Sequence, residues 1–185
     1  MRFSQRHPHI RVDVEERPSP DIPLALLEGR ADLGIVDIAH PLMGLQFQDL
    51  GRDTLVLIVP AGNPLARLPL VALHDALAED FICLTDGNAL TTRLTAAAAQ
   101  LGLPIKMRMQ MRSFDAICRM VAAGLGVGLL PIEALAPQLA TLPIKAIPLS
   151  DPWAKRQLWL ALRDAVPPTA AARNLMQVLL ATAGA

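Results

Sequence analysis

The sequence predicts an α/β fold in which mostly parallel sheets are flanked by helices, and three observations support this prediction. Strand-like and helix-like segments alternate along nearly all of the 185 residues. One short helical segment separates the first two predicted strands, and such a crossover makes the two strands parallel. Residues 55–59 form a continuous apolar run closed by Pro60, which is typical of a strand buried on both faces of a sheet.

The start of the chain predicts a βαβ unit. Apolar and polar side chains alternate over residues 10–14, which indicates a half-buried strand. Residues 22–28 have helical spacing and an acidic start, and Gly29 stands where a C-cap is expected. Residues 32–36 then form the second predicted strand, which would pair with the first in parallel.

The middle of the chain continues this alternation around a central strand at 55–59. Asn88 and Ser113 are the predicted N-caps of two helices that end at Gly102 and Gly124. The methionines at 107, 109 and 111 alternate with polar residues and are predicted to fill a core. The other predicted elements are a helix near 71–77, strands at 81–84, 107–111, 127–130, 145–149 and 157–161, and an amphipathic helix after Pro168.

Charge and composition exclude several classes of function for these residues. The 17 basic and 17 acidic side chains leave no net charge, so direct binding to nucleic acid is not expected. The N-terminus lacks the apolar stretch of a secretory signal, and the longest nearly uncharged run, 120–132, is too short to span a bilayer. Cys83 and Cys118 form no CxxC pattern, which fits a reducing compartment. We therefore expect a cytoplasmic protein without a membrane segment.

Motifs of catalysis and metal binding are absent from the sequence. It contains no GxSxG, Walker or HExxH motif, so neither an enzyme nor a bound cofactor is expected. The glycine-rich run at 124–128 follows a helix and enters a strand, which is the reverse of the dinucleotide-binding order and indicates a tightly packed helix end. The four histidines lack metal-ligand spacing, so no metal site is expected. Four carboxylates at element ends are predicted to be caps: Asp32, Asp37, Asp86 and Asp115.

Three loops carry hydroxyl groups at the ends of predicted strands. The first loop joins a buried strand to a helix start and consists of Thr85, Asp86, Gly87 and Asn88. Ser113 begins a similar helix, and Ser19 stands between two prolines before another. Hydroxyl, amide and backbone N–H groups at helix starts can hold a carboxylate or another anion, although no arginine clamp is obvious in these loops. Plain helix capping is the alternative for the loop at 85–88 and for Ser113.

Several motifs then point to a known family. Residues 6–8 read Arg-His-Pro, and residues 26–35 read Leu-Leu-Glu-Gly-Arg-Ala-Asp-Leu-Gly-Ile. Asn-Pro-Leu-Ala follows the run at 55–60, Val-Ala-Ala-Gly-Leu-Gly-Val begins at Val121, and Leu-Pro begins at Leu130. Pro-Leu at Pro148 is followed by Asp-Pro. In this order and spacing, the motifs resemble the effector-binding domain of LysR-type transcriptional regulators over nearly the whole chain.

The resemblance implies a two-lobed fold like that of periplasmic binding proteins, each lobe a mostly parallel sheet with helices. Lobe I would comprise residues 1–54 and 144–185, and lobe II residues 55–143. A small effector would bind between the lobes. Ser19 matches the family position after the second family strand, and the loop of Thr85, Asp86, Gly87 and Asn88 matches the effector-contacting loop of lobe II. Ser113 and Phe114 match the start of the next helix and would face either the cleft or the core.

The sequence departs from the family at its start. The family's winged helix-turn-helix, its linker helix and the first strand of the effector domain would lie before Met1. DNA contact is therefore expected only through an N-terminal domain missing from this chain. The resemblance also implies assembly into a homodimer or tetramer.

The function expected from the sequence is that of an effector-binding domain of a LysR-type regulator. It would bind a small metabolite, anionic or carboxylate-bearing, and thereby control the activity of the DNA-bound regulator. The alternative is a solute-binding protein of a transport system with the same fold. An enzyme on this fold would need a nucleophile or an acid/base pair in the cleft, and the sequence shows neither.

Overall fold

The computed structural model describes residues 3–15, 17, 21–37 and 43–183. The chain divides into two compact units: unit 1 comprises Met1–Arg52 and Gln157–Ala185, and unit 2 comprises Asp53–Arg156. The helices and strands are α1 (Phe3–Arg6), α2 (Asp21–Leu27), β1 (Gly34–Val36), β2 (Leu45–Pro60), α3 (Leu73–Ala76), β3 (Asp80–Leu84), α4 (Ala89–Gln100), β4 (Lys106–Met111), α5 (Phe114–Ala122), β5 (Gly128–Pro131), α6 (Ala136–Thr141), β6 (Ile144–Pro148), β7 (Lys155–Arg163) and α7 (Ala170–Ala183).

Unit 1 contains a short antiparallel pair covered by one helix. Strand β1 pairs with residues 159–161 of β7, and α2 packs on this pair. The approach is close at Gly34, where a Cβ atom would lie 2.5 Å from Ile22 Cγ2, so a side chain there would displace α2. The buried apolar cluster of this unit, as far as the structure describes it, is Leu26, Val36, Leu45 and Ala161.

The predicted βαβ unit at the start of the chain is wrong. Residues 10–15 form no strand, and the side chain of Val14 is 88% exposed. Alternation alone does not create a strand, since its backbone groups need a partner strand. The expected partner, β1, is instead paired antiparallel with β7.

Unit 2 is a larger α/β unit with a central strand. Residues 55–60 of β2 lie between β5 and β6 and pair antiparallel with both, so this apolar run is central, as predicted. Strand β3 pairs with β4 in parallel, and a parallel bridge joins Phe81 to Val127, just before β5. Helices α4 and α5 pack on β3 and β5 and close the core.

The alternation of strands and helices is confirmed in unit 2, but the pairing differs from the prediction. Four strand pairs are described with their direction, and they are mixed rather than mostly parallel: β3–β4 is parallel and the other three are antiparallel. Residues 144–156 cluster with unit 2, because β6 pairs with β2, whereas the predicted lobe boundary lay at 143/144.

Two local predictions in unit 2 have opposite outcomes. The glycine-rich run does pack tightly: a Cβ atom on Gly126 would lie 2.4 Å from the carbonyl oxygen of Asp80. The methionine face of β4 is only partly core, since Met107 is 39% exposed while Met109 and Met111 pack against the buried cluster. The reason is that β4 has one partner strand, β3, among the described elements, so the start of the strand lies at the sheet margin.

None of the helices in the described ranges is long and apolar enough to cross a membrane.

Candidate functional site

Three strands of unit 2 end at one edge of the sheet. Leu84 and Met111, at the ends of β3 and β4, are register partners, and the Thr85 N–H donates to the Met111 carbonyl (3.0 Å). The backbone N–H of Ile82 donates to Val127 (2.8 Å), which places β5 parallel to β3 on its other side. The carboxyl ends of parallel strands are where α/β sheets bind ligands, so this edge is the candidate site. We call the ends of β3 and β4, with the loops at 85–88 and 112–113 that follow them, the unit 2 edge.

The loop from β3 to α4 is held in one conformation by its own hydrogen bonds. Asn88 is the N-cap of α4, and its Oδ1 accepts from the Leu90 N–H (2.9 Å). The Asn88 N–H in turn donates to the Thr85 carbonyl (3.2 Å). Gly87 between them has φ +83°, a left-handed conformation that favours glycine. The capping prediction for Asn88 is therefore confirmed.

Thr85 and Asp86 project from this loop and are exposed. The Thr85 hydroxyl makes no hydrogen bond with any described residue, so both its donor and its acceptor are available to a ligand. Asp86 Oδ1 accepts from Gln110 Nε2 of β4 (2.6 Å), which fixes the loop to the neighbouring strand. Gln110 is a residue that the sequence analysis did not single out, because its role depends on the pairing of β3 with β4.

The second loop at this edge leads from β4 to α5. Ser113 is the N-cap of α5, and its Oγ accepts from the Ala116 N–H (3.2 Å). Phe114 is half-buried and packs against the unit 2 core. The predicted cap at Ser113 is confirmed.

Arg112 supplies a positive charge that the sequence analysis overlooked. It directly precedes Ser113, is exposed, and makes no hydrogen bond or ion pair with a residue in the described ranges. The signal for it was present in the sequence, since an arginine stands between the last residue of a predicted strand and a predicted N-cap. An exposed arginine therefore follows the strand that pairs with β3, although neither loop forms an arginine clamp.

The electrostatics of the edge are mixed. Helices α4 and α5 both start here, and a helix N-terminus carries a partial positive charge. Two negatively charged carboxylates lie near these helix starts and oppose the partial positive charge. They are Asp86 and Asp115, the latter in the first turn of α5. A hydrogen bond from Arg119 and its positive charge hold the pKa of Asp115 below its ordinary value, so this carboxylate is ionised at neutral pH.

The predicted site residues do not all fall within the described structure. Thr85, Asp86, Gly87 and Asn88 lie together at the unit 2 edge, and Ser113 follows the adjacent strand. Ser19 lies outside the described residues. Within the described ranges, no group of three or more His, Cys, Asp or Glu side chains is placed to hold a metal ion.

Comparison with protein families decides which family the chain belongs to. The model of the LysR substrate binding domain matches residues 1–184. The chain is a LysR substrate-binding domain. The resemblance seen in the sequence motifs is thereby confirmed.

Curated relatives of this LysR domain are named as transcriptional regulators. One is the "Probable RuBisCO transcriptional regulator" of Cyanidioschyzon merolae, which is 28% identical over 163 residues, or 85% of this chain and 54% of that protein. The LysR domain thus spans about half the length of the curated relatives it matches.

Solved structures show the same fold. The regulatory domain of CcmR from Synechocystis PCC6803, in complex with 2-PG, is 20% identical with a TM-score of 0.81, and the match covers 98% of this chain and 87% of that one. The effector-binding domain of QuiR, in complex with shikimate, is 20% identical with a TM-score of 0.76, with the same coverage. The predicted α/β fold of the LysR effector-binding type is therefore confirmed, with mixed rather than mostly parallel sheets.

Proposed function

We propose that this LysR domain binds a small anionic or carboxylate-bearing metabolite at the unit 2 edge. The observation that carries this proposal is the pairing of Leu84 with Met111, since Thr85 and α4 follow β3, and Arg112 and α5 follow β4. Thr85 and Ser113 would orient the ligand through hydrogen bonds, and Arg112 would neutralise its charge. The Asp86 carboxylate would repel a negatively charged group of the ligand beside it. It would accept a hydrogen bond from a ligand hydroxyl or amine.

Two similar structures are complexes with ligands of this kind. Shikimate and 2-PG are the molecules named in the complexes of QuiR and CcmR. Both names support the ligand size and class proposed here without identifying the ligand of this chain. Ser19 stays a sequence-based prediction for a second contact, as does the placement of the ligand between two lobes.

We also propose that the domain acts within a longer transcriptional regulator. The relatives bear regulator names and are about twice as long as the matched segment. Ligand binding would shift the equilibrium between two arrangements of the regulator by no more than the difference in ligand affinity for them. DNA contact would be made outside these residues, the regulator would be a cytoplasmic dimer or tetramer, and the domain would catalyse no reaction. The match to a LysR domain model favours this function over transport of a solute.

A thermal-shift screen tests the ligand proposal. The panel contains aromatic acids, short dicarboxylates, amino acids and inorganic oxyanions, and each organic acid is paired with its uncharged amide. A ligand at about 100 times its Kd adds about 2.7 kcal/mol, which raises Tm by about 5–10 °C for a chain of this size. We expect one chemical class of acids to give this shift and the matching amides to give none.

Variants assign the binding to the unit 2 edge. Thr85→Ala and Arg112→Gln should each weaken the best acid at least about tenfold in a calorimetric titration, which corresponds to about 1.4 kcal/mol. Thr141→Ala and Arg67→Gln are the matched controls, since the Thr141 hydroxyl donates within α6 and Arg67 is exposed at the end of the 3₁₀ helix Pro64–Arg67. The proposal is wrong if an acid binds with the same Kd to the parent and to both site variants.

A further inference from the structure

Strand β4 contains a bulge that brings Met107 and Gln110 to the same face. Phe81 and Ile82 are consecutive in β3, but their register partners on β4 are Met107 and Met109. One residue of β4 therefore bulges out of the pairing, and side chains three positions apart across the bulge share a face. Without the bulge, Met107 and Gln110 would lie on opposite faces of the strand.

The side-chain amide of Gln110 has two acceptors. Its Nε2 donates to Asp86 Oδ1 (2.6 Å) and to Met107 Sδ (3.1 Å). An amide NH₂ has two donors, so both are used by these contacts. The carboxylate is a strong acceptor and the thioether a weak one. One side chain thus connects the sulfur of Met107 to the ligand loop at 85–88.

Met107 is accessible to oxidants in solution. It is 39% exposed and, with Met43, is one of two exposed methionines in the described ranges. Met109 and Met111 instead pack against the unit 2 core. Oxidation converts a thioether to a polar sulfoxide, and sulfoxide reductases reverse the change. Met107 therefore combines exposure with a hydrogen bond to a residue that holds the unit 2 edge.

We propose that Met107 is a reversible oxidation site and that its sulfoxide releases Asp86 from Gln110. The oxidant is a peroxide. The sulfur bonds to one oxygen of hydrogen peroxide as the O–O bond breaks, and the proton of that oxygen passes to the departing hydroxide. The sulfur is oxidised by two electrons, and the peroxide is reduced to one water for each sulfoxide formed.

The sulfoxide disturbs the Gln110 amide in two ways. The new oxygen is a stronger acceptor than the thioether sulfur, so it competes with Asp86 for the amide donors. It also needs space next to Sδ, where Nε2 now lies at 3.1 Å, so the Gln110 side chain must move. The backbone hydrogen bond from Thr85 to Met111 does not involve this amide. The change is therefore confined to the part of the loop that begins at Asp86.

Control of ligand binding by this oxidation rests on the function proposed above. A loop held by Gln110 is already ordered, whereas a released loop must be ordered when the ligand binds. Oxidation should therefore raise the Kd of the best acid by about two- to tenfold, the cost of ordering one side chain.

Peptide mass spectrometry locates the oxidation in the full 185-residue chain treated with hydrogen peroxide. Met107 and Met43 should each gain one oxygen before Met109 and Met111 do, because the latter two pack against the core. Treatment with a methionine sulfoxide reductase and a thiol reductant should remove the oxygen from Met107.

NMR spectra of the ¹⁵N-labelled chain without ligand test the release of Asp86. Oxidation should shift the side-chain NH₂ resonances of Gln110 and the backbone amides of Asp86 and Gly87. Met43→Leu is the matched control for loss of an exposed methionine and should shift in the same way as the parent. Met107→Leu should show no such change on oxidation.

The two cysteines do not confuse this comparison. Burial raises the pKa of Cys83 and Cys118 to about 11, so little thiolate is present at neutral pH. Any oxidation of these thiols would also occur equally in the Met43→Leu and Met107→Leu proteins.

The proposal is overturned if Met109 or Met111 is oxidised before Met107, or if the Met107 sulfoxide leaves the Gln110, Asp86 and Gly87 resonances unmoved. Circular dichroism checks that the oxidised protein is folded. If it is not, Met107→Gln decides, because its amide oxygen replaces the thioether with a strong acceptor. The Asp86 and Gly87 amides must then differ between Met107→Gln and Met107→Leu.

The ligand measurement separates this proposal from the proposed function. If no acid binds the reduced parent, the proposed function fails, while the ligand-free spectra still decide the oxidation site. If the best acid binds with the same Kd before and after oxidation of Met107, control of the ligand site by oxidation is overturned.

Discussion

Unit 2 and unit 1 bury their apolar side chains to very different extents. The unit 2 cluster runs from Leu55 to Ala154 and includes buried residues from β2, β3, β5, β6, α3, α4 and α5. The described cluster of unit 1 has four buried members, and several large apolar side chains remain exposed, among them Val14 at 88% and Met43 at 97%. The free energy of unfolding follows buried apolar area, so the two units should differ in stability.

This difference shows that local sequence pattern and stability are separate properties. Residues 10–14 have as clear an alternation as any strand of unit 2 but form no strand, and residues 11–14 are exposed. In unit 2, helices α4 and α5 cover the sheet and bury both its strands and their own apolar faces. We therefore expect unit 1 to open at lower denaturant concentration than unit 2.

The largest effect is expected from Phe81→Ala in unit 2. Phe81 is fully buried, and its truncation should lower the free energy of unfolding by about 3–5 kcal/mol. The chain has two tryptophans, Trp153 against the unit 2 core and Trp159 against the unit 1 cluster. Urea titrations of single-tryptophan variants therefore report each unit separately.

In the parent, the Trp159 transition should precede the Trp153 transition, and Phe81→Ala should move the Trp153 midpoint to lower urea. Leu26→Ala, at a fully buried position of unit 1, is the comparison and should move mainly the Trp159 midpoint. Coincident transitions for both tryptophans in the parent and in both variants would contradict the difference between the units.

The next effect concerns the tight packing of the glycine-rich run. A methyl group on Gly126 would meet the Asp80 backbone at 2.4 Å, and φ at this residue is +155°. Gly126→Ala should therefore lower the free energy of unfolding by about 1–3 kcal/mol, and only the Trp153 transition should move. Gly62→Ala is the control, because a methyl group there meets no atom within 4 Å, and its midpoint should be unchanged or slightly higher.

Much of unit 2 was predictable because its signals are local. Asn88 and Ser113 cap helices within three residues of themselves, and the apolar run at 55–59 needs no partner to be identified as buried. The sheet pairings were not predictable, since β1 pairs with β7 more than a hundred residues later and nothing local states the strand direction.

The candidate site divides in the same way. The loop of Thr85 and Asn88 was found because it joins a strand to a helix. The contact of Asp86 with Gln110 was missed, since it exists only when β3 and β4 are paired. Arg112 was overlooked although it stands between a predicted strand and a predicted N-cap, and only the pairing of β3 with β4 relates it to the loop at 85–88.

A smaller effect is expected from removal of the α4 cap. Asn88→Ala leaves the Leu90 N–H without its side-chain acceptor and should cost about 1 kcal/mol, again reported by Trp153. Asn88→Asp retains an acceptor and should recover most of this loss. Equal destabilisation by Ala and Asp would show that Asn88 does not act as the cap.

The smallest effect is a pH dependence confined to unit 2. Burial raises the pKa of Cys83 and Cys118 from the ordinary value of 9.0 to about 11. The folded state therefore retains these protons when the unfolded state has lost them, and stability should fall as the pH rises from about 9 to about 11. The slope of the Trp153 midpoint against pH should decrease in Cys83→Ala/Cys118→Ala, whereas an unchanged slope would assign it to other groups.

The most direct test of the ligand site is an amide NMR titration of the ¹⁵N-labelled chain with the acid that gives the largest thermal shift. Saturable shifts should concentrate at Thr85, Gly87 and Ser113, at the ends of β3 and β4, and in Thr85→Ala should need at least about tenfold more acid. The uncharged amide of the same acid should leave these resonances in place. Saturable binding of the acid that leaves the backbone amide resonances of all three residues unmoved would contradict the assignment of the unit 2 edge as the effector site.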